Sequence, residues 1–357
     1  MVSKKHILTF VLFLASFLVN GQQNEIGLPY VENISSAHIG YSGDLIEIAQ
    51  DAENVMYFTH EKGVVVFDGA SWNLLSTHGT PTIFKRKNGR IVVGFENFIG
   101  EISMDNVRQR RLNSLTDSIT NVGHITSIVE YQENLFFVAR GIVYSLKDGV
   151  IEKLDVPKTN KLFVDRTGVI AVNNQSSWFC TDLEKGFSLK KDVVIDGVLR
   201  TNTELIIHTK TGFTTCESVA DKEWQTLPIE IDNVTSFVKL ITDEICVGVN
   251  LKGLYCFDKQ GNTTSIPSLS AELSDSKING MFVDKNGNLW VTHGHGVSRL
   301  ELNHAISYFN EKNGLEGSVN SILRVDGKLY VATDRGVFVL RGNLFKSVPV
   351  LLTILKN

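Results

Sequence analysis

Two histidines separated by one glycine are the first candidates for metal chemistry in this sequence. His293 and His295 stand in the stretch NLWVTHGHGVSRLEL, between two apolar runs. Imidazole nitrogens bind zinc, but a zinc site needs three or four nitrogen, sulfur or carboxylate ligands that converge on the metal. The sequence offers no third ligand at a recognisable spacing. We therefore interpret both histidines as exposed turn residues and predict no metal and no cofactor.

The four cysteines raise the question of a disulfide. Cys246 and Cys256 flank one glycine turn and can face each other across a hairpin, whereas Cys180 and Cys216 look like ordinary buried strand residues. The geometry of a direct cross-strand bridge is restrictive. We therefore favour two packed hydrophobic side chains at positions 246 and 256, with a disulfide as the alternative.

Signatures of catalysis are missing from the sequence. It contains no Gly-rich phosphate loop after a strand, no G-x-S-x-G elbow and no paired histidines on a helix. Acidic residues are plentiful, so a carboxylate pair of the glycosidase kind stays open as an alternative. The net charge is -4, and acidic and basic residues are interspersed along the sequence. The sequence therefore lacks the cluster of basic residues that is typical of a nucleic-acid-binding surface. We predict that the protein is not an enzyme and binds no nucleic acid.

The histidine pair belongs to a repeated hairpin. Four stretches superpose without gaps on Gly63, Gly253, Gly296 and Gly336, and each has two apolar alternating runs joined by a polar turn that ends in the glycine. Glycine supplies the positive φ that such turns need. Weaker copies lie at residues 90–103, 135–146, 169–180 and 205–216. The units recur about every 39 residues, and a period near 40 with several short strands per unit is typical of propeller blades.

A second turn precedes each hairpin. Residues 282–291 and 163–172 carry an Asp and a Gly three apart, which predicts a type I turn, and residues 324–331 shorten it to Asp-Gly. Another short strand comes before this turn, and a more variable strand such as residues 305–309 ends the unit. The predicted fold is all-β: a β-propeller with blades of about 40 residues, either seven blades plus a leftover unit or, alternatively, eight blades.

One aromatic column recurs in the second strand of the units. Trp290, Tyr57 and Tyr330 occupy equivalent positions there. We expect these rings to pack between neighbouring blades, where they would contribute to stability and not to ligand binding.

The N-terminus has the composition of an export signal. Lys4, Lys5 and His6 precede an apolar run over residues 7–19, which is followed by small or polar residues. The run is short for a membrane-spanning helix, which needs about 20 apolar residues. We predict a signal peptide over residues 1–21, a propeller sensor domain over residues 23–345 and a short C-terminal tail over residues 346–357 that ends like a truncated protein. The mature chain is then periplasmic or extracellular.

Small polar residues recur where the first strands of the units would converge on the propeller axis. Bulky side chains would collide there, and water fills the channel. A few well-placed hydrogen-bonding groups at this place can fix a small polar molecule. The predicted ligand-binding residues are Thr126, Ser127, Thr235, Ser236, Asn279, Asn320 and Ser321. The alternative is a channel lining without affinity for any ligand.

A resemblance to a known family follows from the repeat. The pattern I-x-x-I/F-x-x-D-x-x-G-x-L-W/Y-V-x-T-x-x-G-V, best preserved over residues 278–297 and 319–337, resembles the two-component regulator propeller repeat. Residues 27–75 and 89–102 are similar to the first and second blades of Bacteroidetes sensor proteins of that class, and the likeness is weak from about Lys161 to Glu230. The resemblance implies one or two seven-bladed propellers outside the inner membrane, followed by a three-tyrosine immunoglobulin-like domain, a transmembrane helix and a cytoplasmic output domain.

The resemblance also implies a function. We expect an exported, non-catalytic ligand-sensing propeller of a two-component-type signalling protein that lacks its own output domain, because no three-tyrosine domain, span or kinase motif follows the eighth unit. The expected partners are a small polar ligand, a glycan fragment by family analogy, and a membrane sensor or regulator protein. The alternatives are a propeller enzyme, either a lyase or a glycoside hydrolase, and a protein-interaction scaffold. Converging carboxylates or a His-metal cluster at one mouth of the channel would favour the enzyme.

Overall fold

The computed structural model describes residues 27–349 except 118, 120, 181–185, 188, 264–272, 303–307 and 343. The predicted signal peptide, residues 1–21, lies outside this range. Among the residues described, no helix has both the length and the apolar character needed to cross a membrane. The chain divides into two compact units, a larger one of Val31–Asn303 and a smaller one of Met1–Tyr30 with His304–Asn357.

The larger unit is built of short antiparallel strands grouped into sheets 1 to 7, numbered along the chain. The first elements are β1 (Tyr30–Ser35) and α1 (Ser36–Ile39). Sheets 1 to 3 contain β2 (Leu45–Gln50), β3 (Met56–His60), β4 (Gly63–Phe67), β5 (Trp72–Ser76); β6 (Thr82–Lys85), β7 (Ile91–Phe95), β8 (Phe98–Met104), β9 (Arg110–Ser114); and β10 (Ile125–Tyr131), β11 (Asn134–Ala139), β12 (Ile142–Lys147), β13 (Val150–Lys153).

Sheets 4 to 7 continue the same order of strands. They contain β14 (Lys161–Val164), β15 (Val169–Val172), β16 (Ser177–Cys180), β17 (Leu189–Lys191); β18 (Ile195–Arg200), β19 (Leu205–Thr209), β20 (Gly212–Cys216), β21 (Gln225–Thr226); β22 (Val234–Lys239), β23 (Ile245–Val249), β24 (Gly253–Phe257); and β25 (Ile278–Val283), β26 (Leu289–His293), β27 (Gly296–Glu301) with β1.

The first strands of the seven sheets form a closed ring. β2 contacts β6, and the contacts continue through β10, β14, β18, β22 and β25 back to β2. Each of these strands is the inner edge of its sheet, because the remaining strands follow outward in order. This arrangement favours the first of the two predicted blade counts, seven blades with a leftover unit, and the count itself stays a prediction.

Sheet 7 is completed by the N-terminal strand. Its order is β1-β27-β26-β25, so β1 is the outer strand of a sheet whose other strands lie more than 240 residues later. The hydroxyl of Ser298 in β27 donates to the side-chain oxygen of Asn33 in β1 at 2.5 Å. The prediction that residues 305–309 supply this strand was wrong: β1 holds the place, residues 305–307 are not described, and Tyr308 pairs with Leu28.

The predicted turns are present. Gly63 and Gly296 open β4 and β27 with φ of 146° and 135°, a region that favours glycine. A Cβ atom at Gly296 would also come within 2.2 Å of the carbonyl oxygen of Ile34. In the second turn, the Asp284 carboxylate accepts from the amides of Asn286 and Asn288, both at 2.9 Å.

Cys246 and Cys256 form a disulfide. They lie directly opposite each other in the β23–β24 pair, with their Cα atoms 4.0 Å apart. Such a short separation is typical of the opposed positions of an antiparallel pair that lack direct hydrogen bonds, where side chains approach most closely. The interpretation of these residues as two packed hydrophobic side chains was therefore wrong. Cys180 and Cys216 are free and buried, as expected.

The smaller unit contains one described four-stranded sheet. Its elements are the 3₁₀ turn Glu311–Asn313 and the strands β28 (Val319–Val325), β29 (Lys328–Thr333), β30 (Gly336–Arg341) and β31 (Leu344–Val348). Its core is formed by Leu315, Val331, Phe338, Leu340 and Phe345. β31 therefore includes residues of the segment that the sequence analysis treated as a C-terminal tail.

Candidate functional site

The first strands of the sheets share an irregularity that positions side chains in the ring. The register of the pairing shifts at Ile125/Ser127, Ile195/Gly197, Val234/Ser236 and Ile278/Gly280, and the smaller unit has the same shift at Val319/Ser321. A bulge of this kind leaves one residue unpaired and re-aims its side chain. The unpaired residues are Thr126, Asp196, Thr235, Asn279 and Asn320. The first column of predicted ligand-binding residues is thus a column of bulge residues.

The second predicted column holds the sheets together. The hydroxyl oxygen of Ser127 accepts from the Leu162 amide at 3.0 Å, and that of Ser236 accepts from the Met281 amide at 3.1 Å. Each bond reaches the first strand of the next sheet in the ring. At Gly280 there is no room for a side chain, since a Cβ atom would lie 2.2 Å from the Ile46 carbonyl oxygen.

The remaining predicted residues have individual partners. Thr235 donates to the Gly248 carbonyl at 3.1 Å, and the Asn279 amide donates to the Leu45 carbonyl of sheet 1 at 3.0 Å. Thr126 is exposed and lies 3.5 Å from the Val138 carbonyl. Asn320 and Ser321 are exposed in β28 of the smaller unit. The role of all seven residues in ligand binding stays a prediction.

Two charged residues in the second column were missed by the sequence analysis. Glu47 stands at the register shift of β2, opposite Thr59, whose hydroxyl accepts from the Glu47 amide at 2.9 Å. Lys161 opens β14 and pairs with Val172. The Glu47 carboxylate takes the place of the serine hydroxyls in the other sheets, since it accepts from the Ile83 amide at 2.8 Å and from the Thr82 hydroxyl at 3.1 Å.

The surroundings of both groups disfavour their charged forms. Burial raises the pKa of the Glu47 carboxyl, and the hydrogen bonds from Ile83 and Thr82 offset this only in part. Burial lowers the pKa of the Lys161 ammonium, which the nearby charges of Glu47 and Asp196 oppose. The ammonium nitrogen of Lys161 lies 5.0 Å from the centre of the Phe163 ring. Ionisable groups with shifted pKa values that lie together in a cavity are typical of functional sites.

A cavity of about 300 Å³ lies against these side chains. Its walls come from the first strands of sheets 1 to 5, so it occupies part of the space that the ring of inner strands encloses. Polar and charged side chains line it together with apolar ones: Glu47, Thr82, Thr126, Ser127, Lys161 and Arg200. The structure therefore brings Thr126 and Ser127 of the predicted site together with the two charged residues that the prediction missed.

A larger cavity of about 1100 Å³ lies between sheets 5 and 6. Asp196, His208, Lys252 and Tyr255 are among the residues that line it. Burial lowers the pKa of the His208 imidazole, and the nearby charge of Asp196 opposes this.

The two histidines of the pair differ in their exposure. His293 is fully buried, so its interpretation as an exposed turn residue was wrong, whereas His295 is exposed as predicted and pairs with Asp275 at 2.9 Å. The Nδ1 atom of His293 accepts from the His295 amide at 3.3 Å, and Nε2 lies 2.9 Å from the Ser298 hydroxyl. Across the described residues, no group of three His, Cys, Asp or Glu side chains could hold a metal ion.

The buried histidine caps its turn. His60 does the same in sheet 1, where Nδ1 accepts from the Lys62 amide at 3.2 Å, and in sheet 5 the Thr209 hydroxyl accepts from the Thr211 amide at 3.2 Å. The position requires an acceptor two residues before a turn amide. This requirement explains why His and Thr interchange there.

We expect His293 to make stability depend on pH. Burial lowers its pKa to about 4, whereas the pKa in the unfolded chain is about 6.5. The unfolded state therefore binds more protons between these values, and about 3 kcal/mol of stability is lost as the pH falls from about 6.5 to about 4. His293→Asn keeps an acceptor for the turn amide but does not titrate, so its urea midpoint should fall less over this range. Equal pH slopes for the two proteins would contradict the assignment.

Short antiparallel sheets arranged in a ring around a central space define the class of β-propeller proteins, which confirms the predicted fold class. Within this class, residues 272–295 match the model of the two component regulator propeller family. The matched segment contains β25 and β26 and ends in the turn before β27. The resemblance to this family is confirmed by the match. No curated protein matches the sequence.

Solved structures share the fold over most of this chain. The extracellular domains of two hybrid two component systems from B. thetaiotaomicron superpose with TM-scores of 0.68 and 0.61 at 16% and 13% identity, covering 91% and 90% of this chain. The aligned regions cover 50% and 47% of those two structures, so this chain spans about half of their length. A streptogramin B lyase superposes with a TM-score of 0.55 at 13% identity and covers 77% of this chain and 98% of its own. At these identities the likeness is one of fold.

Proposed function

We propose that this chain is an exported, non-catalytic ligand-sensing propeller of a two-component-type signalling protein. The observation that carries the proposal is the cavity on the inner strands, where Lys161 and Arg200 meet the hydroxyls of Thr82 and Thr126. Such a combination of a concave space with a few convergent polar groups is typical of small-molecule sites. The family match and the likeness to extracellular domains of hybrid two component systems support a role in sensing.

The proposal assigns ligand binding to this propeller. A ligand can shift an equilibrium between two conformations only by the difference between its affinities for them. Ligand binding would therefore change the conformation of the propeller surface, and a membrane sensor or regulator protein would recognise this change. We propose a seven-bladed propeller outside the cytoplasm for this role, with the eighth sheet as a leftover unit.

The test is a screen of the purified full chain against small polar molecules, with mono- and oligosaccharides as the probes. We expect calorimetry to detect binding of at least one member, and mass spectrometry to recover that ligand unchanged after prolonged incubation. A ligand that is recovered cleaved or eliminated would overturn the non-catalytic assignment. A panel without any binder would contradict sensing of this class of ligand.

Export has a test of its own. The basic residues and apolar run of residues 4–19 predict cleavage near Gln22. N-terminal sequencing of the protein from an export-competent bacterial host should therefore start near this residue, in the periplasmic or extracellular fraction. An intact N-terminus on cytoplasmic protein would contradict the prediction.

A further inference from the structure

The cavity on the inner strands contains two cations without a partner. Lys161 and Arg200 both line it. Within the part of the chain that the structure describes, neither side chain takes part in an ion pair or a hydrogen bond, and Lys161 has only its approach to the Phe163 ring. Arg200 is held at the end of β18 by its backbone pairing with Leu205. Five N–H groups of a guanidinium and three of an ammonium are thus available to a ligand.

Neither neighbouring carboxylate, Glu47 or Asp196, forms an ion pair with these cations among the described residues, although the charges of both act on Lys161. The Glu47 carboxylate is already hydrogen-bonded to sheet 2, because its two oxygens accept from the Thr82 hydroxyl and the Ile83 amide at distances of 2.8 to 3.1 Å. Asp196 lines the larger cavity between sheets 5 and 6 together with His208. Its charge acts on Lys161 without forming a contact. The smaller cavity therefore has free donors and a carboxylate that is already satisfied.

Both cations are exposed, so their donors are open to a ligand in the cavity, and an anion there can form charge-assisted hydrogen bonds with them. The other walls of the cavity include the hydroxyls of Thr82 and Thr126 and the rings of Phe84 and Phe163. The threonine hydroxyls can form hydrogen bonds with a hydroxylated ligand, and the aromatic rings can pack against the apolar face of a ligand ring. A volume of about 300 Å³ is at the lower end for ligand pockets, so it suits one ring and not a chain of several.

We infer that the inner-strand cavity binds an acidic sugar, whose carboxylate pairs with Lys161 and Arg200. The inference rests on the proposed sensing function and names the class of ligand. The hydroxyls of the sugar would bind to Thr82 and Thr126 on the opposite strands, and its ring face would lie against Phe163 or Phe84. A neutral sugar of the same shape would leave both cations unpaired and would bind more weakly.

The test compares galacturonate with galactose, which differ only in the carboxylate at carbon 6. Calorimetry with the full chain should show galacturonate binding at least about 10-fold more tightly than galactose, because hydrogen bonds to charged groups are the stronger ones. Lys161→Met and Arg200→Met should each lower the affinity for galacturonate by about 10- to 100-fold. Neither should change the weak affinity for galactose by more than a few-fold.

Lys252→Met is the matched control, because this lysine lines the larger cavity between sheets 5 and 6. It should bind galacturonate like the wild type, and circular dichroism should show that all variants keep the β fold. Equal affinities for the two sugars, absence of galacturonate binding or an unchanged affinity in folded Lys161→Met would each overturn the inference. The wider screen separates this result from the proposed function, which fails only if no member of its panel binds.

Discussion

Trp290→Ala should lower the free energy of unfolding by about 3 to 5 kcal/mol, the usual cost of truncating a buried aromatic ring. Trp290 lies in β26 of sheet 7 and is 4% exposed. Its ring packs on sheet 1, with centroid distances of 6.0 Å to Phe58 and 6.1 Å to Phe67. Sheets 7 and 1 are the last and the first sheets of the ring of inner strands. The truncation therefore weakens the packing between the two sheets that close this ring. Chemical denaturation followed by circular dichroism measures the loss.

Trp290→Tyr is the control for this prediction. The indole nitrogen of Trp290 donates to Asp284 at 2.9 Å, and the equivalent Tyr57 of sheet 1 donates through its hydroxyl to Asp51 at 2.8 Å. Tyrosine therefore fits the column and keeps both the ring and the bond to the turn aspartate. We expect a loss well below that of the alanine variant, and equal losses would show that packing of the ring is not the cause.

Features that repeat along the chain were predictable from sequence. A glycine recurs at one place of each strong hairpin because the turn needs positive φ there, as at Gly63 and Gly296. An aspartate recurs before the second turn because its carboxylate accepts two turn amides, as Asp284 does. Repetition makes such requirements visible, and the packing of Trp290 between sheets 7 and 1 followed from the same alignment.

Features that occur once were not predictable. Glu47 and Lys161 occupy the column of Ser127 and Ser236, but residue type gives no hint of this, because a register shift in β2 and a short β14 hide the alignment. His293 looked like a solvent-exposed turn residue because neighbouring glycines and a second histidine made the segment appear polar. In the fold its ring contacts Ser298 of the adjacent strand β27 and Ser274, which lies 19 residues earlier in the chain.

The pairing of β1 with β27 has a similar cause. A strand at one end of the larger unit completes a sheet at the other end, so no local pattern indicates its partner. The outward order of strands within each sheet was evident from the repeat, and the repeat itself suggested a local fourth strand. Closure of the ring requires a contact of long sequence separation, which only the three-dimensional arrangement reveals.

Arg86→Met should destabilise the protein by about 3 to 5 kcal/mol, the usual cost of removing one partner from a buried ion pair. The Arg86 guanidinium lies 2.8 Å from Glu101 of sheet 2 and 2.7 Å from Glu130 of sheet 3. Both glutamates are buried, at 7% and 6% exposed. Removal of the guanidinium leaves two carboxylates in a desolvated interface between sheets, and thermal or urea unfolding measures the loss.

Arg90→Met is the matched control, because Arg90 pairs with the same Glu101 at 3.1 Å but its side chain is 64% exposed. An exposed pair of this kind contributes about 0 to 1 kcal/mol, so its loss should be small. A deficit equal in the two variants would mean that Arg86 stabilises the interface by packing its alkyl chain and not by neutralising buried carboxylates.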